Sequence, residues 1–266
     1  MVSNRIYDLQ KVGQYHEFRD KTECIWIAAG QRWRSFSAPT VTVGGVSVSP
    51  SSGARNLGVY FDNPLSLKKH ISNVSKSCYF QLRQMRVIRR SLPSDVLRTL
   101  LQAFVTCRLN YCNSLLVGLP AYDISRLQSV QNAAGRLFGG VSRCDSVDHV
   151  LRDNLHWLPV KQRIIFKVGV FEYKAIHGLA PPYLKELFVP VSIVPALSRD
   201  RSASCGDYSV PPATRNTTYR QHSFAVAGPT WWNYFPLKIR NSSSMQTFHS
   251  RLKTFLFREA YNIFAS

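Results

Sequence analysis

The chain has 266 residues, 45% of them hydrophobic, which is enough apolar material for one large domain or two small ones. Its 34 lysines and arginines against 15 acidic residues give a formal net charge of +19, which favours nucleic acid over an anionic membrane surface or a merely basic soluble protein. The absence of a long apolar run predicts no membrane span, and six cysteines without a C-x-x-C pair predict an intracellular protein with reduced thiols.

Strand-like patterns are confined to the first sixty residues. Residues 23–28 are mostly apolar, and residues 40–43 and 46–48 alternate around a pair of glycines, which is typical of a hairpin with a tight turn. Residues 56–61 are a further strand candidate. Residues 1–20 have weak periodicity and read as a lead-in without regular structure.

The pattern becomes helical after residue 62. Asn63 and Pro64 suit the first turn of a helix, since the first offers a side-chain acceptor and the second has a helical φ. Apolar residues then recur in steps of three and four and predict one buried face: Leu67, Ile71, Val74, Cys78, Leu82, Met85 and Ile88.

Basic residues recur every seven positions on the same helix, at Lys69, Lys76, Arg83 and Arg90, with Lys68 and Arg86 beside them. At 100° per residue, Lys69 lies about 200° from Ile71, so this stripe runs opposite the predicted buried face. Seven basic residues and no acid lie between Asp62 and Asp95. An ordinary solvated face usually mixes both signs, so the stripe predicts contact with phosphates.

Further helices follow along the chain. A second is predicted over residues 93–116, with Val96, Leu97, Leu100, Leu101, Phe104, Val105 and Leu109 facing inward. Others are predicted over residues 123–138, from a short start at 146, from Pro159 to about 176, and over 244–261. Residues 190–215 are rich in serine, proline and arginine and indicate a linker. The sequence therefore predicts a mostly helical α+β protein.

Other chemistries have weaker signals. Two pairs have zinc-like spacings: Cys107 with Cys112, and Cys144 with His149. The first pair falls inside a predicted helix, where the two side chains point about 140° apart. We therefore expect buried structural cysteines and no metal site. No G-x-S-x-G motif indicates a hydrolase, and we expect no small-molecule substrate. One of the adjacent Trp231 and Trp232 is expected in the core and the other is a candidate base contact.

Several motifs together resemble the reverse transcriptases of non-LTR retrotransposons of the jockey-like kind. The matching stretches, given with their positions, are DKTE (20–23), ARNLGV (54–59), LS (65–66), HI (70–71), RLNYCNSLL (108–116), LQSVQNAA (127–134), LHWLPV (155–160), RI (163–164), FK (166–167), KAIHG (174–178), APPYL (180–184), WN (232–233) and residues 248–257. They follow the family's order over about residues 20–261.

The resemblance implies roles for particular segments. Lys21 matches a lysine near the incoming nucleotide, and Leu57, Gly58 and Val59 match a primer-grip-like strand. The implied division is a palm remnant (1–62), a thumb-like helical bundle (63–140), a helical segment (141–189), the linker (190–215) and a C-terminal part with two tryptophans and a terminal helix (216–266).

The family's catalytic aspartates are missing from the match. Such polymerases hold two metal ions on an F-x-D motif and an adjacent pair of aspartates, and this sequence has no Asp-Asp pair. We therefore expect a non-catalytic fragment that binds RNA or an RNA–DNA duplex and has no cofactor, magnesium being expected only in the intact family enzyme. The alternative is a structural or interaction fragment, or a truncated gene model, with apolar surface bare around Trp26, Val41 and Val59.

Overall fold

The protein is described here by a computed structural model that covers residues 23–27, 39–43, 45–193, 206–211 and 223–263. Of these residues, 61% are helical and 9% are in strands, which confirms the predicted mostly helical α+β fold. The chain divides into two compact units, Met1–Ser66 and Leu67–Ser266. The finer division into five segments stays a prediction. No helix in the described ranges is both long and apolar enough to cross a membrane.

The first unit contains three small sheets of two strands each. Their strands are β1 (Cys24–Ile25), β2 (Val41–Val43), β3 (Val46–Val48), β4 (Pro50–Ser51), β5 (Gly53–Asn56) and β6 (Val59–Asp62). β1 pairs with β4 in parallel, whereas β2 with β3 and β5 with β6 form antiparallel hairpins. The predicted hairpin on either side of the two glycines is confirmed.

The strand predicted over residues 56–61 is wrong in its first half. Leu57 and Gly58 form the turn between β5 and β6, with φ angles of 46° and 84°. Two successive positive φ angles are the requirement of the tight turn that matches the twist of paired strands. The apolar side chain of Leu57 therefore points into solvent at the turn, where it is 82% exposed.

The second unit is helical. Its α-helices are α1 (Lys68–Ile88), α2 (Ser94–Leu101), α3 (Cys107–Asn110), α4 (Ala121–Gly139), α5 (Val160–Ile176), α6 (Pro182–Lys185), α7 (Phe224–Tyr234), α8 (Leu237–Arg240) and α9 (Met245–Ala260). Two π-helical segments, Gln102–Thr106 and Val150–Asn154, and 3₁₀ turns at Arg89–Ser91, Asn113–Leu116 and Val191–Ile193 complete it.

The helix entry predicted at Asn63 and Pro64 is wrong, because α1 begins at Lys68. The backbone N–H of Leu65 donates to the carbonyl of Asp62 at 2.8 Å, so these residues close a turn after β6. Leu67 precedes the helix in a left-handed conformation, with φ 54°. Ile88, predicted to face inward, is instead exposed at the end of α1, where the 3₁₀ turn takes over.

The single helix predicted over residues 93–116 is interrupted. α2 passes into the π-helical segment and then α3, which ends at Asn110. Leu97, Leu101 and Val105 are buried as predicted, but Val96 and Phe104 are exposed. A π turn holds more residues than an α turn and shifts the register of the buried face, so the side chain of Phe104 falls outside it.

The remaining predicted helices are confirmed within a few residues. α4 ends at Gly139, and the positive φ of 67° at the next residue, Gly140, allows the chain to leave the helix. α5 begins immediately after Pro159. The Ser244 hydroxyl accepts the backbone N–H of Thr247 at 3.2 Å and caps α9. Helix α7, which carries both tryptophans, was not predicted.

The core of the C-terminal helices is built around α5. The ring of Tyr173 stacks on that of Phe248 with centroids 4.4 Å apart, and its hydroxyl donates to the carbonyl of Ser242 at 2.9 Å. Trp232 is buried in the same cluster, which confirms the prediction that one tryptophan packs into the core. A Cβ added at Gly169 would lie 2.8 Å from the Phe235 ring, so only glycine lets that ring approach α5 so closely.

Glu172 is an acidic residue inside this core. Its side chain is fully buried, and neither carboxylate oxygen has a hydrogen-bond partner among the described residues. Burial raises the pKa of Glu172 well above its ordinary value, although the nearby positive charge of Arg240 acts in the opposite direction. The folded state therefore favours the neutral, protonated carboxyl group.

We predict that Glu172→Gln raises the melting temperature at pH 7.5. The unfolded chain releases this proton above its ordinary pKa of 4.5, so wild-type stability is full below that pH and declines as pH rises towards the folded-state pKa. Glutamine does not titrate, and each kcal/mol regained corresponds to about 2–4 °C. Thermal unfolding between pH 4.5 and 7.5 should show the advantage shrinking as pH falls.

The exposed Glu186→Gln variant is the matched control and should follow the wild type at every pH. A Glu172→Gln variant that is less stable than the wild type at pH 7.5, by an amount that does not change with pH, would contradict this account of the buried carboxyl.

Candidate nucleic-acid interface

Helix α1 has one buried face and one basic face. Ile71, Cys78, Leu82 and Met85 are buried, and α1 packs against α4. The side chains of Lys69, Lys76, Arg83 and Arg90 are all exposed. Because apolar residues recur in steps of three and four while the basic residues recur every seven, burial of the first set turns the second to solvent.

Lys68 and Arg86 are also exposed and lie on the same helix. We call these six residues the basic face: Lys68, Lys69, Lys76, Arg83, Arg86 and Arg90. No acidic residue occurs in the sequence between Asp62 and Asp95. Helix α1 therefore carries no carboxylate of its own that could neutralise this surface.

Arg89 is the seventh basic residue of the stretch and has a different role. Its Nε donates to the carbonyl of Leu137 at 3.1 Å, and its Nη2 donates to the carbonyl of Phe138 at 3.1 Å. The last carbonyls of a helix lack partners within it and carry the negative end of the helix dipole. Arg89 therefore caps α4 and ties the end of α1 to it.

Arg108 adds a positive charge that the sequence pattern did not assign to this surface. Its Nη1 donates to the hydroxyl of Ser77 at 2.5 Å, which brings the guanidinium from α3 onto α1. Ser77 lies about 100° around the helix from Lys76, between the basic face and the buried side of α1. The contact is tertiary, so no periodicity within α1 could have indicated it.

Three motifs of the resemblance meet in the interior of the second unit. The amide of Gln131 donates to the carbonyl of Leu158 at 2.9 Å, and Gln128 accepts the backbone N–H of Val160 at 2.8 Å. Arg163 donates to the Asn110 side chain at 3.1 Å and to the carbonyl of Leu158 at 2.6 Å. Segments 108–116, 127–134 and 155–163 thus hold one another in place through buried polar contacts.

Arg163 also lies over the Trp157 ring, 5.5 Å from its centroid, and burial lowers its pKa to about 10. Trp157 is buried and Pro159 immediately precedes α5, so residues 156–159 form the connection that leads into this helix. Trp157 and Leu158 are buried in this segment, whereas His156 is exposed.

The primer-grip-like residues are separated by the turn described above. Leu57 and Gly58 form the turn, whereas Val59 begins β6 and is only 2% exposed. Lys21 lies outside the described residues.

The cysteine prediction is wrong in its detail. Cys107 is exposed and Cys112 is half-buried, and they do not share a helix, because α3 ends at Asn110 and Cys112 has a left-handed φ of 50°. Cys144 is exposed in a loop. Within the described ranges, no three histidine, cysteine or acidic side chains come close enough together to hold a metal ion.

Trp231, the candidate base contact, lies on α7 and not on α1. It forms part of the wall of an apolar cavity of about 590 Å³ between α4, α5 and α7. Ile124, Ile164 and Val226 line the same cavity. The Trp231 ring also packs edge-on against Tyr234, with centroids 5.6 Å apart. Its surroundings are those of a packing residue.

No protein-family model, no curated protein and no solved structure matches the chain at a significant level. The resemblance to non-LTR retrotransposon reverse transcriptases therefore stays a prediction. The residues of the basic face must support any functional assignment by their own geometry and charge.

We predict that Arg89→Met destabilises the fold and that Arg90→Met, at the adjacent position, does not. Arg89→Met removes two charged hydrogen bonds at the end of α4 and should lower the free energy of unfolding by about 1–3 kcal/mol. The exposed Arg90→Met variant should change it by less than about 0.5 kcal/mol. Urea unfolding followed by circular dichroism measures both values, and equal destabilisation by the two substitutions would contradict the assignment of Arg89 as a cap.

Proposed function

We propose that this protein is a non-catalytic part of a non-LTR retrotransposon reverse transcriptase and that it binds template–primer nucleic acid through the basic face. The observation that carries this proposal is the exposure of five cations on α1 and of Arg90 in the 3₁₀ turn that follows it, in a stretch without acidic residues. Basic side chains gain affinity for nucleic acid because they displace the counterions condensed on its phosphates. A net charge of +19 over the chain supports the same partner.

The spacing of the stripe supports contact with phosphates. Seven residues of an α-helix rise about 10.5 Å. Successive members of the stripe, such as Lys76 and Arg83, are therefore far enough apart along α1 to contact different phosphates. Such contacts hold the backbone and read no sequence.

We also propose that the chain has no polymerase activity. Two-metal nucleotide transfer requires carboxylates that position both ions. The sequence contains no adjacent pair of aspartates, so it lacks the family's catalytic turn. Binding without catalysis is the part of the family's function that the basic face can supply.

A structural or interaction fragment is the second candidate. Ile27 and Leu57 in the first unit are exposed apolar residues, which favours a surface that packs on another protein. The predicted bare patch is wrong at Val59, which is buried, and Trp26 and Val41 are both half-buried. A gel shift at physiological salt separates the candidates, because the interaction fragment predicts only weak, nonspecific nucleic-acid binding.

We predict that replacing Lys69, Lys76, Arg83 and Arg90 together with glutamine lowers the salt dependence of binding. Each phosphate contact contributes about 0.9 to the slope of log K against log salt, so the slope should fall by about 3–4 units. Fluorescence anisotropy with an RNA–DNA hybrid between 50 and 300 mM salt measures it.

The charge-matched control replaces four exposed lysines and arginines elsewhere in the second unit, Lys185, Lys238, Lys253 and Arg258, with glutamine. Both variants lose four positive charges, but the control should keep the slope within about one unit of the wild type. Equal losses in the two variants would show that net charge, and not the basic face, determines binding.

We predict that the purified chain adds no nucleotides to a primed RNA template in the presence of magnesium. The physical reason is the lack of the paired carboxylates that hold the two ions. A primer-extension assay on a denaturing gel measures the activity, with a complete reverse transcriptase as the positive control. Metal-dependent extension by the chain at any level above background would contradict the non-catalytic assignment.

A further inference from the structure

Exposed apolar side chains lie among the cations of α1. Phe80 is 58% exposed, Tyr79 is 45% exposed and Val87 is 80% exposed, although the opposite side of the same helix is packed into the core. Relative to Lys76, Phe80 lies about 40° around the helix and Val87 about 20°. These side chains therefore lie beside the cations of the basic face, on the solvent side of the helix.

Phe80 is flanked by two members of the stripe. It follows Lys76 by four residues and precedes Arg83 by three, and residues at those spacings are neighbours on a helix surface, with Cβ atoms about 5–6 Å apart. Tyr79 lies about 60° to the other side of Lys76, beside Arg83 and Arg86. The result is an aromatic ring between a lysine and an arginine, all three exposed.

The cations and the ring of Phe80 match two chemical groups of a nucleic acid, its phosphates and its bases. Proteins that hold single strands combine cations for the backbone with aromatic rings on which bases stack, and the stacking contributes about 1–3 kcal/mol per base. Stacking needs an exposed ring face, which Phe80 has and which Trp157 and Trp232 in the core do not. It also needs a base whose face is accessible.

We propose that Phe80 is a stacking platform for an unpaired base of the nucleic acid that the basic face holds. This inference rests on the proposed function and adds the class of substrate to it: a duplex that continues into a single-stranded overhang. Bases inside a duplex are already stacked on their neighbours, and extracting one costs a few kcal/mol. Phe80 therefore contributes to binding only where the strand leaves the duplex.

A protein partner would use the same residues differently. An apolar partner surface would cover Val87 as well as Phe80, because Val87 is the more exposed of the two and lies within about 20° of it on the helix. A base can stack on the ring of Phe80 but gains nothing comparable from the branched side chain of Val87. Substitutions at the two positions therefore distinguish a base from a protein.

The test measures the affinity of the full chain for two probes by fluorescence anisotropy: a blunt RNA–DNA hybrid and the same hybrid with a six-nucleotide single-stranded extension. We expect the wild type to bind the extended hybrid about tenfold more tightly. Phe80→Leu keeps the apolar character and removes the ring, so it should abolish this preference while leaving affinity for the blunt hybrid unchanged. Phe80→Trp should retain the preference.

Val87→Ser is the matched control, and it should bind both probes as the wild type does. Phe80 and Val87 are both exposed, so the variants should unfold at the wild-type temperature, which circular dichroism checks. Replacing the first extension base with 2-aminopurine gives an independent signal: its fluorescence should be quenched by the wild type and not by Phe80→Leu.

The outcomes separate the two proposals. If the wild type binds both hybrids equally with steep salt dependence, or if Phe80→Leu keeps the preference, the stacking inference is overturned and the proposed function stands. If the wild type shows no salt-dependent binding to either hybrid, the proposed function fails. Self-association of the chain that Val87→Ser abolishes would assign the surface to a second copy and also overturn the stacking inference.

Discussion

Arg89 joins the end of α1 to the end of α4 by donating to two carbonyls that no residue of α4 can satisfy. This contact fixes the rotation of α1, which also packs against α4 and has Ile71 and Leu82 on its buried side. Every exposed residue of the helix is thereby held at a defined angle. The outward direction of the stripe that contains Lys76 and Arg83 is a consequence of how the opposite face packs.

The same constraint explains why charge and apolar surface coexist on one face. A helix with alternating acids and bases could rest in solvent without a partner, but α1 carries repelling charges and the large exposed ring of Phe80. Neither feature stabilises the helix by itself. The packing of α1 against α4 offsets the charge repulsion and the exposure of the Phe80 ring. The helix can therefore present a surface that suits an anionic and partly apolar ligand. The interior polar contacts of Gln131 and Arg163 secure the neighbouring segments in turn.

Regular periodicity in the sequence was sufficient to predict α1, α4, α5 and α9 and the exposure of the stripe on α1. It failed where the backbone departs from a regular helix: the π turn after Leu101 exposes Phe104, and the turn at Asn63 delays the start of α1. Contacts such as that of Arg108 with Ser77 depend on tertiary packing and have no local signature. The exposure of Phe80 could be predicted from the local sequence, because its angle on the helix places it opposite the buried face.

Photocrosslinking from a single position tests the central claim most directly. A photoreactive residue replaces Lys76 on the basic face or, in a second variant, Lys253 on α9; both positions are exposed. With a labelled RNA–DNA hybrid at 100 mM salt, the account predicts abundant adducts from position 76 that high salt removes, and few from position 253. Adducts of equal or greater yield from position 253 would contradict it, because the nucleic acid would then lie elsewhere on the protein.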